Sequence, residues 1–103
     1  MDKIAALREI LNKDPNNSFA RYGIAMELAG QNLPDEALKE FDTLLRMDPN
    51  YTAGYFMAAQ TLADQGRKPE AMERLKAGIG CAGRVGNNHA LNEMQSMLDD
   101  LNR

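Results

Sequence analysis

Gly78, Gly80 and Gly83 carry the spacing of a dinucleotide-binding turn. In that chemistry a strand delivers glycines that let the backbone approach a pyrophosphate, and a following helix receives the anion at its N-terminus. Here the run before Gly78, from Pro69 to Ala77, has a helical pattern, and no strand pattern appears in the chain. The glycines therefore point to close packing of a last helix on this one, or to fraying, since each costs about 1 kcal/mol inside a helix. Cys81 and His89 are the only cysteine and histidine. As a nucleophile pair they would need a third orienting group and a cleft, and the sequence supplies neither. A zinc ion would lack ligands. No catalytic residue, metal or cofactor is expected: Cys81 reads as a small apolar packing residue, and His89 as a surface residue in the first turn of a final helix. Arg67, Lys68, Arg74, Lys76 and Arg84 are interleaved with Glu70 and Glu73. Pairs such as Glu70 and Arg74, four apart, make this a solvated helix face.

The totals agree with that picture. The chain has 103 residues, 44% apolar and 26% charged, with a net charge of -3. These values fit one ordinary globular domain and give no reason to expect nucleic-acid binding. No apolar run reaches the length of a membrane span, and charges interrupt the first residues, unlike a signal peptide. A cytoplasmic setting is expected. Asn16-Asn17-Ser18 and Asn50-Tyr51-Thr52 match a glycosylation pattern, which carries little weight without a secretory signal.

What must position any functional residue is a repeat. Asp14-Pro15-Asn16 recurs as Asp48-Pro49-Asn50, and the same offset lays Ala25 on Ala59, Leu28 on Leu62, Glu36 on Glu70 and Ala37 on Ala71. A period of about 34 residues marks a helical array. The spacing predicts helices over 1–13, 18–31, from Pro34 to Asp48, over 51–65, from Pro69 onward, and over 88–101. Asp2 and Asn17 or Ser18 are candidate N-caps, Pro34 suits a first helical position, and Asn32 and Gly66 suit left-handed turns. The fifth helix is expected to thin from Gly78 to Gly83, with a loop over 84–87. Ala37, Leu38, Phe41, Leu44 and Leu45 should face inward. At the same offset Ile4, Leu7, Ile10 and Leu11 fall on the last four of these. The second and fourth helices each carry two apolar stripes, so one stripe must meet something other than its own repeat.

With these positions in register the chain resembles the tetratricopeptide repeat family. The resemblance implies an all-α fold, a right-handed superhelix of about six antiparallel helices. It divides the chain into a half repeat (1–13), two repeats (18–49 and 52–83) and a capping helix (88–101) within a single domain. Departures are Arg21 in place of an aromatic, Asn32 in place of a turn glycine, Gly78 in place of a small or aliphatic core residue, and Gly83 where a third Asp-Pro would stand. The resemblance also implies a concave groove lined by first helices: Phe19, Tyr22, Met26 and Ala29 from one repeat, and Ala53, Phe56, Met57, Gln60 and Asp64 from the next. The family's clamp for a terminal carboxylate needs lysine, asparagine and arginine, but Tyr22, Met26 and Phe56 stand in those places.

The expected function is a protein-interaction adaptor, not an enzyme, taking a partner's peptide or helix against an apolar face with aromatic anchors and adaptable methionines. The alternative is a homodimer in which that face is buried by a second copy. A further reading makes the second stripe extra core, covered by the last helix. Neither a nucleic-acid nor a membrane partner is expected.

Overall fold

The structure, a computed structural model, describes residues 2–103. They form six α-helices and, among the described residues, no strand: α1 (Lys3–Lys13), α2 (Ser18–Gly30), α3 (Pro34–Met47), α4 (Thr52–Asp64), α5 (Lys68–Val85) and α6 (Asn88–Leu101). Met1, included in the first expected helix, lies outside the described residues. Two compact units can be told apart, Met1–Asp48 and Pro49–Arg103.

In the first unit α1 packs on α2 and α2 on α3. Asp2 caps α1, its carboxylate accepting from the Ala5 N–H at 2.9 Å, and Asn17 caps α2 by accepting from the Ala20 N–H at 2.9 Å. Each side-chain cap satisfies an N–H that the helix leaves open. Pro15 and Pro49 force the residue before them out of the helical region, and Asp14 (φ -140, ψ 83) and Asp48 (φ -138, ψ 78) adopt nearly the same geometry. The Ser18 hydroxyl donates to the Asp48 carboxylate at 2.7 Å, tying the start of α2 to the end of α3. The core is Ala20, Ile24, Ala25 and Leu28 from α2 with Ala37, Leu38, Phe41, Leu44 and Leu45 from α3, as the periodicity requires. The matching stripe of α1 is different. No α1 residue is fully buried, and Ile10 is 42% exposed. Within this unit α1 meets only α2, so one side of its stripe has no neighbouring helix.

In the second unit α4 packs on α5, and α6 packs on α5 and touches α4. Ala58, Ala59, Leu62, Ala71, Leu75, Cys81, Ala82, Met94 and Leu98 are buried. Asn32 (φ 61), Gly66 (φ 74) and Gly86 (φ 75) all take the left-handed conformation that ends a helix. After each, an N–H reaches back five residues, Leu33 to Leu28, Arg67 to Leu62 and Asn87 to Ala82.

The end of α5 corrects the sequence reading. The helix does not thin at Gly78, and of the loop expected over 84–87 only Gly86 and Asn87 lie outside the helices. It runs unbroken to Val85 and stops at Gly86. Gly83 stands where Pro15 and Pro49 stop the earlier helices, and a glycine weakens a helix without terminating it. Gly78 is where the helices come together. A methyl group added there would collide with the Met94 sulfur and lie 2.7 Å from Tyr55 Cβ. The methionine can swing aside, but a Cβ is fixed to its backbone, so α4 blocks the substitution. Gly83, by contrast, has nothing within 4 Å of an added methyl.

Gly78→Ala should therefore lower stability by about 1–3 kcal/mol through overpacking, despite alanine's better helix propensity. Gly83→Ala should raise it by about 0.5–1 kcal/mol. Urea denaturation of the two variants checks the opposite signs.

Candidate protein-interaction surface

The residues expected to line a binding face fall on two helices, one in each unit. On α2, Phe19 is 73% exposed, while Tyr22, Met26 and Ala29 are half-buried. Phe19 projects because it lies one residue before Ala20 and five before Ile24, both of which point inward. Tyr22 is less available: its ring lies edge-on to the buried Phe41, with centroids 6.3 Å apart and planes at 62°. Part of this ring belongs to the core of its unit, and the rest reaches the surface. On α4, Phe56, Met57 and Gln60 are half-buried, and Ala53 and Asp64 are exposed. The Gln60 amide donates to the Asp64 carboxylate at 2.9 Å, one turn along the helix. The inward stripe of α4 is alanine-rich, which brings its backbone close to α5 and leaves the larger side chains on the outward side.

Charges near these faces are occupied elsewhere. Arg21 reaches across to Glu40 on α3 at 3.4 Å, with side chains 17% and 18% exposed. It thus fills an interior place where the family resemblance expects an aromatic. Its Nε is buried without a protein hydrogen-bond partner among the described residues, a cost of about 1–3 kcal/mol. Glu27 pairs with Lys3 at 3.2 Å. A cleft of about 230 Å³ opens beside this network, lined by Arg8, Leu28, Glu36, Lys39 and Glu40. Sequence reading missed it because its walls come from three helices and carry no recognisable spacing.

The residues that could have done chemistry have structural neighbours. Cys81 is fully buried, its sulfur 3.5 Å from the Thr52 hydroxyl. His89 has an 87% exposed side chain and lies 3.0 Å from Glu93 on the same helix. Among the described residues no three His, Cys, Asp or Glu side chains converge to hold a metal, and no helix is long and apolar enough to cross a membrane. The basic cluster on α5 is locally paired. Arg67 grips Glu70 at 2.9 and 2.6 Å, and Lys76 reaches Glu73 at 3.4 Å.

Antiparallel helix pairs recurring at a fixed period, with apolar side chains left on the outward faces of α2 and α4, define a helical-repeat protein. The sequence profile of the tetratricopeptide repeat matches residues 28–83. The chain belongs to the tetratricopeptide repeat family. Solved structures carry the same fold. A tetratricopeptide repeat domain protein from Salinibacter ruber superimposes with a TM-score of 0.80 at 27% identity, over 85% of this chain and 89% of that one. A protein from Bordetella parapertussis gives a TM-score of 0.86 at 24% identity, over 100% of this chain and 90% of that one. The TPR2B domain of yeast Sti1, solved as a complex with pHsp70, gives 0.88 at 20% identity, over 96% and 79%. No curated protein sequence matches the chain.

The Glu70 carboxyl is held below its ordinary range, first by the hydrogen bonds from Arg67, with the positive charges of Arg67 and Arg74 adding to this and desolvation opposing it. A lowered carboxyl stabilises the fold above the ordinary glutamate range, and that contribution is lost as pH falls through the lowered value. Arg67→Gln should move the Glu70 titration midpoint upward, as followed by carboxyl-carbon NMR.

Proposed function

We propose that this protein is a protein-interaction scaffold that takes an apolar peptide or helix of a partner against the outward faces of α2 and α4. The observation that carries the reading is Phe19, a large aromatic ring left 73% exposed on a helix whose opposite face is fully buried. Leaving such a ring in water forgoes roughly 1.5–3 kcal/mol that burial would supply, and aromatic rings of this kind dominate binding hot spots. Tyr22 and Met26 continue the α2 face, and Phe56 and Met57 form its counterpart on α4. The binding step forms and breaks no covalent bond; it removes apolar surface from water. Membership of the tetratricopeptide repeat family, and likeness in fold to the TPR2B domain of yeast Sti1 solved as a complex with pHsp70, support the same reading. The short faces favour a small interface and an affinity around micromolar.

The test is selection of binders from a random peptide library, followed by affinity measurements on the wild type and on Phe19→Ala and Phe56→Ala. Each substitution should weaken binding about tenfold or more, equivalent to about 1.4 kcal/mol. Circular dichroism and Tm of Phe19→Ala should stay unchanged, because its ring makes little of the core. Equal binding by wild type and both variants overturns the proposal. So does a library that yields no binder while light scattering shows a dimer that Phe19→Ala dissociates, because the face is then taken by a second copy.

A further inference from the structure

Of the nine residues on the two faces, eight carry no charge, and the ninth is Asp64. It lies in the last turn of α4, eight positions beyond Phe56 on a slowly turning row that passes through Gln60. The Gln60 amide fixes one carboxylate oxygen, and the other has no partner among the described residues. The end of a helix adds partial negative charge from its open carbonyls. The nearest arginine in sequence, Arg67, donates two hydrogen bonds to Glu70. The α4 face is thus an apolar patch with one oriented, exposed anion at one end and no cation on it.

We infer that the α4 face accepts a partner segment that pairs an apolar side chain, set against Phe56 and Met57, with a lysine or arginine on Asp64. This deepens the proposed binding function and rests on it. The charge pattern selects the partner's chemistry. A segment ending in a free carboxylate, or carrying acidic or phosphorylated residues at that end, would meet repulsion from Asp64. The spacing sets its length. Phe56 and Asp64 are separated by about 12 Å along the helix axis, which an extended chain spans in about three or four residues. The recognised pattern is therefore an apolar residue followed or preceded by a basic one at that distance.

Library-selected binders, resynthesised with amidated C-termini, supply the probe. They should be enriched in lysine or arginine three or four residues from an apolar side chain. Replacing the basic residue by glutamine should weaken binding by about two- to fivefold, the range of an exposed ion pair. Asp64→Asn should weaken the basic peptide by the same factor and leave the glutamine peptide unaffected, and added salt should erase the difference. Asp64→Lys should turn the preference toward a glutamate peptide. Asp64 is exposed and outside the core, so these variants keep the fold. Binders that depend on Phe19 or Phe56 but show no basic enrichment, or a basic preference that survives in Asp64→Asn, overturn this inference and leave the scaffold function standing. Absence of any binder removes both.

Discussion

Each unit depends on how closely two helix backbones can approach, and residues with almost no side chain set that distance. Ala25 on α2 and Ala37 on α3 are wholly buried, as are Ala59 on α4 and Ala71 on α5. These pairs of helices pack directly on each other. Larger residues then close the spaces around the small ones: Ile24, Leu28 and Phe41 in the first unit, Leu62 and Leu75 in the second. Protein interiors tolerate neither voids nor overlap, so the size of each residue is tied to its neighbours. Gly78 is the extreme case. There the backbone of α5 comes so near Tyr55 and Met94 that not even a methyl group fits.

The two units apply one plan with different fastenings. In the first, a proline after Asp48 ends α3, and the freed aspartate receives the Ser18 hydroxyl. In the second, Gly83 replaces that proline, and α5 continues to Val85. The position corresponding to Ser18 is Thr52, whose hydroxyl meets the buried sulfur of Cys81. Tyr55 and Arg84 instead reach the segment before α4, both donating to the Pro49 carbonyl, at 2.8 and 3.4 Å. The longer α5 then offers α6 a surface, and Met94 and Leu98 bury themselves there while Gln95 and Asp99 stay in water.

The small residues on the inward stripe of α4 leave its larger side chains, Phe56 and Met57, on the outward side. On α2 the inward stripe mixes Ala20 and Ala25 with Ile24 and Leu28, and Phe19, Met26 and part of Tyr22 lie outside it.

The sequence by itself determined the helices, their order and most of their ends, because these depend on neighbours a few residues away. Proline after Asp14 and Asp48, side-chain caps at Asp2 and Asn17, and left-handed turns at Asn32 and Gly66 are local events that spacing reveals. The 34-residue register also identified the buried alanines and the family. Local rules failed at the end of α5, where α4 and α6 close over Gly78 and the helix runs on through Gly80 and Gly83 to Val85. They were also silent on the Arg21–Glu40 pair, the cleft beside it and the packing of Tyr22 on Phe41. These depend on distances between separate helices, which arise only after packing and which no periodicity along one helix can encode.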